Sequence, residues 1–272
     1  MPTIQIDETK GTKKLPTHAK VVVVGGGVVG CSILFHLAKF GWKDAVLLER
    51  DELTSGSSWH AAGGIHTISS DPNISRLQSY TINLYKEIEA LSGQSVGLHQ
   101  TGGFYAASTK EWYDYLKGER SKARYMRLDQ EFISPKELAE RHPLIDPDHY
   151  HAVLWDAQDG HLDPSGTTYA FAKAAKAHGA QYFTHCGATA MTQRPDGSWD
   201  IVTPKGSINA EHVVNCGGLW AREVGQMVGI HLPVQPMEHH YLITEPMDEV
   251  ANFGQQLPHG IDFEANVYCR QE

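Results

Sequence analysis

The sequence of 272 residues has no long apolar run, and this absence limits the kinds of protein that it can encode. No stretch approaches the roughly 18 consecutive apolar residues that a membrane-spanning helix needs. The N-terminus has no apolar segment of the kind found in signal peptides, and it mixes acidic residues with lysines. We therefore expect a cytoplasmic protein with a polar leader over residues 1–18 and no membrane partner.

Cysteine and positive charge are both scarce. The formal net charge is -9, which opposes binding to nucleic acid, because phosphates are neutralised by basic surface. The sixteen histidines show no pair at one-turn helical spacing beside an acid, so no metal site is predicted. The cysteines show no paired spacing for zinc or redox chemistry, and free thiols are expected at all of them: Cys31, Cys186, Cys216 and Cys269.

The sequence does contain a strand, a glycine turn, a helix and a second strand between residues 19 and 50. The apolar run 21–24 is typical of a strand that is buried on both faces, and the run 45–48 predicts its parallel neighbour. The helix between them is predicted to bury one apolar face, made of Ile33, Leu34, Leu37 and Phe40.

The turn between the first strand and the helix has the glycine spacing of a dinucleotide site. Gly25 permits a tight turn, Gly27 lets a pyrophosphate approach the backbone, and Gly30 lets the helix lie close to the strand. Glu49 stands where an acid would accept the ribose hydroxyls, and its charge disfavours a ribose that carries a phosphate. The alternative interpretation is a tight turn in an α/β protein that binds no nucleotide.

A loop of small residues over 53–64 follows, interrupted by Trp59 and His60. Small residues allow a flat ring to approach the backbone closely. The alternative interpretation is a flexible linker in which Trp59 lies on the core and His60 is solvated.

Together these segments resemble the flavin domain of the dimethylglycine dehydrogenase and sarcosine dehydrogenase family, within the larger group of D-amino-acid-oxidase-like flavoproteins. The resemblance rests on the glycine turn and on further motifs: Glu49-Arg50, SSWHAAG at 57–63, DGHLDP at 159–164, VVNCGG at 213–218, WAREVG at 220–225 and HHY at 239–241.

The expected fold is α/β, with two interleaved domains. Short strands separated by turns over 187–210 predict a β-meander, and the run 212–215 predicts a return to the parallel sheet. We expect a Rossmann-like FAD-binding domain with a parallel central sheet over 19–95 and 155–228, and an α+β substrate domain over 96–154 and 229–272. Members of the family continue past the position of Glu272, so the substrate domain is expected to be truncated.

The resemblance implies an FAD cofactor that is joined covalently to His60 through the flavin 8-methyl group. It places Ala188 beside the adenine and Trp220 near the flavin, although plain packing would also account for Trp220. The predicted cofactor-binding residues are Gly25, Gly27, Val28, Val29, Gly30, Glu49, Arg50, Gly56, Ser57, Ser58, Trp59, His60, Ala61, Ala62, Gly63, Gly64, Ala188, Gly217 and Trp220.

The resemblance also implies an amine oxidoreductase. A small N-methylated amino acid would lose a hydride to the flavin, giving the demethylated amine and formaldehyde, and electrons would pass to an electron-transferring flavoprotein or to oxygen. His239 and Tyr268 are the predicted catalytic residues, with Arg270 a further candidate for the substrate carboxylate. His239 and Tyr268 could instead be ordinary hydrogen-bonded residues of a sheet.

Two other functions remain open. A non-catalytic regulatory protein could retain the same fold, as in the regulatory subunit of pyruvate dehydrogenase phosphatase. A nicotinamide-dependent dehydrogenase would account for the glycine turn but not for the loop with Trp59 and His60.

Overall fold

The computed structural model describes residues 14–42 and 44–271. Of these, the first compact unit takes the residues up to Ser58 and Phe171–Pro236, and the second takes Trp59–Ala170 and the residues from Met237 onward. The predicted domain bounds differ from these units, since they assign 59–95 and 155–170 to the nucleotide-binding part and 229–236 to the substrate part. Most of the predicted polar leader, residues 1–13, lies outside the described residues.

The helices and strands alternate along most of the chain. The strands are β1 (His18–Val24), β2 (Ala45–Leu48), β3 (Gly64–Ile65), β4 (Gly103–Ala107), β5 (Gln130–Ile133), β6 (Ala152–Asp156), β7 (Gly160–His161), β8 (Gln181–Phe183), β9 (Ala190–Gln193), β10 (Trp199–Thr203), β11 (Gly206–Asn215), β12 (His259–Asp262) and β13 (Val267–Cys269). The helices are α1 (Val28–Lys39), α2 (Pro72–Ser92), α3 (Lys110–Tyr125), α4 (Pro135–Arg141), α5 (Pro164–Ala177), α6 (Ala221–Gln226) and α7 (Asp248–Ala251).

The first unit contains a six-stranded sheet in the order β8-β2-β1-β11-β10-β9. Strands β8, β2, β1 and β11 run parallel, whereas β9, β10 and β11 form an antiparallel meander. The predicted Rossmann-like parallel sheet with a meander is thus confirmed. The register pairs Val24 with both Leu48 and Asn215, so three strands end together beside Gly25.

Strand β11 corrects one detail of the prediction. A meander strand and a separate sheet strand were expected within 207–215, but Gly206–Asn215 is one continuous strand. It pairs antiparallel with β10 through its first half and parallel with β1 further along. No glycine or proline interrupts residues 207–215, so the strongest signals for a break are missing from this stretch.

The buried face of α1 also differs from the predicted one. Leu34 is buried as expected, but Phe40 is 73% exposed because the helix ends at Lys39, which leaves Phe40 as the C-cap residue. Ile33 and Leu37 are only half-buried. The buried residues of the helix are Gly30, Cys31, Leu34, Phe35 and Ala38.

The second unit contains a five-stranded sheet in the order β13-β12-β4-β6-β5 and a two-stranded sheet of β3 and β7. Helix α2 begins at the Asp71 cap and ends at Gly93, whose φ of 63° is the left-handed conformation that favours glycine. Helix α4 begins with a capping box between Ser134 and Glu137. Within the described residues, no helix has both the length and the apolar character needed to cross a membrane.

Candidate functional site

The predicted site residues divide between the two units. Those in the first unit are Gly25, Gly27, Val28, Val29, Gly30, Glu49, Arg50, Gly56, Ser57, Ser58, Ala188, Gly217 and Trp220. Those in the second unit are Trp59, His60, Ala61, Ala62, Gly63, Gly64, His239 and Tyr268.

The glycine turn in the first unit depends on close backbone approach. Gly25 has a φ of 116°, and a Cβ there would lie 2.3 Å from the carbonyl oxygen of Cys216. A Cβ on Gly30 would lie 2.0 Å from the carbonyl oxygen of Gly25. Side chains at either position would therefore push the end of β1 away from α1 or β11, as the sequence argument requires.

Glu49 follows the end of β2 and binds the same turn. One carboxylate oxygen accepts a hydrogen bond from the Gly26 N–H at 2.6 Å, and the other accepts one from the Asp51 N–H at 2.8 Å. A carboxylate oxygen can accept more than one hydrogen bond, so Glu49 can hold the turn and still receive hydroxyl donors.

Ser58 lies at the start of α1. Its hydroxyl oxygen accepts a hydrogen bond from the Val28 N–H at 3.0 Å. Gly27 is the N-cap residue of α1 and has no side chain to cap the helix, so Ser58 satisfies the Val28 N–H but not the N–H groups that follow it in the first turn. Backbone N–H groups in the first turn therefore remain available to an anion, and the helix dipole favours negative charge there.

Arg50 and Trp220 contact each other in the first unit. The Arg50 guanidinium lies 3.8 Å from the centre of the Trp220 ring, which is cation–π geometry. A Cβ on Gly56 would lie 3.4 Å from the same ring, in ordinary contact. Trp220 thus has specific partners among the predicted residues. Ala188 is partly buried against the core of the first unit.

Two cysteines lie behind the turn and were not predicted to matter. Burial raises the pKa of Cys31 to about 12, with smaller contributions from Glu49 and Cys216. Burial also raises the pKa of Cys216 to about 11. Both thiols stay protonated at neutral pH, so neither is suited to act as a nucleophile.

In the second unit, Trp59 and His60 are exposed and stack on each other, with ring centres 4.6 Å apart and planes at 19°. Gly63 and Gly64 then turn into β3. Gly63 has a φ of 69° and its carbonyl oxygen accepts a hydrogen bond from the Leu162 N–H at 2.9 Å. Because Gly64 pairs with His161, the structure brings the SSWHAAG and DGHLDP motifs together.

The two predicted catalytic residues also lie together. The His239 and Tyr268 rings are nearly parallel, at 7°, with centres 6.3 Å apart. His259, which was not predicted from the sequence, lies beside this pair. Its ring centre is 6.3 Å from that of Tyr268, and the two ring planes meet at 25°. No motif surrounds His259, and only the pairing of β12 with β13 brings it near Tyr268. His240 is exposed.

A buried carboxyl pair forms a second feature that the sequence did not reveal. Asp156 and Asp159 are 1% and 0% exposed. Asp159 accepts hydrogen bonds from the Tyr105 hydroxyl at 2.6 Å and the Thr67 N–H at 3.0 Å. Asp156 accepts them from the Thr67 hydroxyl at 2.5 Å and the Gln130 amide at 2.9 Å.

Burial raises the pKa of Asp159 to about 8, and the charge of Asp156 adds to this effect. The hydrogen bonds from Tyr105 and Thr67 act in the opposite direction. Asp159 is therefore a carboxyl group that can stay protonated at neutral pH, which is the behaviour of an acid removed from water beside a like charge.

A cavity of about 230 Å³ lies beside Arg270, His99 and His161. Arg270 donates a hydrogen bond to the Leu162 carbonyl oxygen at 3.3 Å. Within residues 14–42 and 44–271, no group of three or more histidine, cysteine, aspartate or glutamate side chains is arranged to hold a metal ion.

Comparison with known proteins gives a family match over nearly the whole chain. Residues 20–272 match the DAO family model, described as FAD dependent oxidoreductase. The chain is similar to the solved structure of L-proline dehydrogenase from P. horikoshii, with a TM-score of 0.86 and 28% identity, covering 95% of this chain and 68% of that one.

Three curated relatives are similar over the same region. Dimethylglycine dehydrogenase of Rattus norvegicus is 40% identical over 94% of this chain and 30% of its own. Sarcosine dehydrogenase of Homo sapiens is 37% identical over 95% and 28%. The pyruvate dehydrogenase phosphatase regulatory subunit of Mus musculus is 31% identical over 94% and 29%. The chain thus spans less than a third of the length of these relatives.

Proposed function

The chain belongs to the DAO family of FAD-dependent oxidoreductases, and from this premise we propose that it oxidises a small N-methylated amino acid of the dimethylglycine or sarcosine type. The proposed products are the demethylated amine and formaldehyde. The observation that carries the proposal is the parallel pair of His239 and Tyr268, two side chains suited to bind an amine and receive its proton.

The residues of the first unit fit the dinucleotide part of FAD. Gly25 and Gly30 bring the backbone close at the turn, and the N-terminus of α1 faces the position of a pyrophosphate in such folds. Glu49 would accept the ribose hydroxyls. Arg50 and Trp220 would lie at the edge of the same region. Ala188 would lie near the adenine, and Gly217, which follows the end of β11, would approach the cofactor through its backbone.

We further propose that the flavin is joined covalently to His60. The imidazole is exposed and so can be reached, and a neutral imidazole nitrogen is a competent nucleophile. The residues after it, Ala61 to Gly64, have small or no side chains that leave room for a flat ring. Stacking on Trp59 limits the orientations of the His60 ring.

Bound FAD would accept a hydride from the N-methyl carbon of the substrate, leaving an iminium that water hydrolyses to formaldehyde and the demethylated amine. His239 would take up the proton of the substrate ammonium group, because only the neutral amine can release a hydride readily, and Tyr268 would hold the amine by a hydrogen bond. The Arg270 guanidinium would pair with the substrate carboxylate, which its planar geometry suits. The proposed electron acceptor is an electron-transferring flavoprotein or oxygen, and the proposed location is the cytoplasm.

A non-catalytic regulatory role is the second candidate. The 31% identity to the regulatory subunit of pyruvate dehydrogenase phosphatase supports it. The two candidates differ in what they require of His60, His239 and Tyr268, so experiments on these residues separate them.

The first experiment is an absorbance spectrum of the purified protein before and after acid precipitation. We expect a flavin spectrum and yellow colour that stays with the pellet. His60→Ala should release the colour to the supernatant, whereas His231→Ala, which replaces another exposed histidine, should not. A colourless wild-type protein would favour the regulatory role, and covalent flavin in His60→Ala would show that another residue is the attachment point.

The second experiment measures formaldehyde release with dimethylglycine and with sarcosine. We expect turnover with one or both, and a loss of at least about tenfold in kcat/KM for His239→Ala and Tyr268→Phe. A flavin-loaded protein that releases no formaldehyde from either amine would contradict the proposed reaction.

A further inference from the structure

His259 occupies a fixed position that neither the glycine turn nor the His239–Tyr268 pair explains. It is 5% exposed and begins β12. Its backbone N–H donates a hydrogen bond to the Gly102 carbonyl oxygen at 3.1 Å, and the strand pairing sets it opposite Gly103. The sheet therefore determines where the imidazole lies.

The imidazole of His259 fills the space beside Gly64. A Cβ on Gly64 would lie 2.6 Å from Nε2 of His259 and 3.1 Å and 3.2 Å from two ring carbons. Gly64 has no positive φ, so glycine is required at this position for space and not for backbone conformation. The ring of His259 thus lies directly against the segment that follows His60.

The ring of His259 also stacks on that of Tyr268. The two rings lie 6.3 Å apart at 25°, and Tyr268 lies 6.3 Å from His239 at 7°. Strand pairing places Tyr268 opposite Ile261, two residues after His259. We call the sequence of rings His239, Tyr268 and His259, ending on Gly64, the ring column.

The imidazole of His259 is uncharged at neutral pH. Burial, with smaller contributions from the nearby His66, His161 and Arg270, lowers its pKa to about 4. A neutral ring of this kind neither repels a cationic amine nor competes with His239 for its proton. The contribution of His259 is consequently one of position.

We propose that His259 is a positioning residue that fixes the phenol of Tyr268 relative to the Gly63-Gly64 segment. The proposal rests on the proposed function, since it takes Tyr268 as a residue that contacts the substrate. Loss of the ring would leave a gap beside both Gly64 and Tyr268, and the phenol would then adopt more than one position. Misplacement of a binding group by about 1 Å can cost up to ~100-fold in rate.

The test compares His259→Ala, which removes the ring, with His259→Phe, which keeps a flat ring without nitrogens. Gly64→Ala disturbs the same contact through the partner of His259, because its Cβ must displace the imidazole. His151→Phe, at an exposed position of the same unit, is the matched control.

Two quantities are measured in each full-length variant. The first is the near-ultraviolet circular dichroism of the Tyr268 ring, which reports how firmly the ring is held; it is taken as the difference from the same variant that also carries Tyr268→Phe, and it needs no substrate. The second is the separate change in KM and kcat for dimethylglycine or sarcosine. His259→Ala and Gly64→Ala should weaken the circular dichroism of the Tyr268 ring and raise KM about tenfold, whereas His259→Phe and His151→Phe should stay within about twofold of wild type.

Three results would overturn the proposal. A wild-type Tyr268 circular dichroism signal and a wild-type KM in His259→Ala and Gly64→Ala would show that the ring does not hold Tyr268. A defect in His259→Phe as large as in His259→Ala would show that a nitrogen atom, and not the ring, is needed. A wild-type protein that carries flavin but oxidises neither amine would contradict the proposed function and this inference together, whereas active variants indistinguishable from an active wild type contradict the inference alone.

Discussion

Replacing Asp159 by asparagine should change how the stability of the protein depends on pH. The pKa of Asp159 is about 8 in the folded chain, against an ordinary value of 3.8. Between these values the folded protein keeps a proton that the unfolded chain has lost. The free energy of unfolding therefore falls as pH rises through this range, by about 1.4 kcal/mol per pH unit at the steepest.

The cleanest window lies between pH 7 and 8. Burial lowers the pKa of His66, His142 and His259, so these residues make the protein more stable as pH rises, mostly below about pH 7, where the unfolded histidines lose most of their protons. Above pH 7 about three-quarters or more of the unfolded histidines are already neutral, so their remaining effect is small and opposite in sign to that of Asp159. Because Asp159 is half ionised near pH 8 in the folded state, its titration should lower the free energy of unfolding by about 1 kcal/mol between pH 7 and pH 8.

Urea unfolding followed by tryptophan fluorescence at several pH values from 7 to 8 measures this slope. In Asp159→Asn the side chain oxygen can still accept from the Thr67 N–H, and its amide can donate to the Tyr105 hydroxyl oxygen, so the network is retained without a titrating group. The variant should lose the slope. Asp196→Asn is the control, because Asp196 is exposed and hydrogen bonds from Ser198 lower its pKa. A slope in Asp159→Asn equal to that of wild type would refute the reasoning.

The remaining predictions concern the glycine turn. Gly30→Ala should abolish flavin binding, because its Cβ would lie 2.0 Å from the Gly25 carbonyl oxygen. Gly118→Ala, inside α3 with open space around it, should instead stabilise the protein by about 0.5–1 kcal/mol. Flavin content and thermal unfolding are measured in both variants, and a wild-type flavin content in Gly30→Ala would contradict the first expectation. Cys31, with its pKa raised to about 12, should resist alkylation at pH 8 until the protein is unfolded, as mass spectrometry of the modified peptides can check. Rapid labelling of Cys31 in the folded protein would show that it is accessible as a thiolate.

Local signals in the sequence were sufficient to predict some parts of the fold. The turn from Gly25 to Gly30 depends on neighbouring residues alone, and it forms as predicted. The buried face of α1 was assigned wrongly because apolar spacing cannot fix where a helix ends, and Phe40 falls just past that end. The prediction of two strands within β11 failed for a similar reason, since strand length depends on the partners available on each side.

Functional residues divide in the same way. His239 and Tyr268, which lie far apart in sequence, could be paired only through the family resemblance, and their rings do lie together. His259 and the carboxyl pair of Asp156 and Asp159 stand in no motif that assigns them a role. Their properties come from burial and from pairing between distant strands, which the order of residues along the chain does not display.

The continuity of β11 restricts how this protein can evolve. One strand carries both the meander pairing at Ser207 and the parallel pairing that ends at Asn215, one residue before the carbonyl that faces Gly25. A single inserted or deleted residue within it would reverse which face every later side chain occupies, and no loop is present to absorb the change. Descendants of this sequence should accordingly exchange residues freely along β11 while keeping its length constant, and should accept length changes at the exposed turn near Gly197.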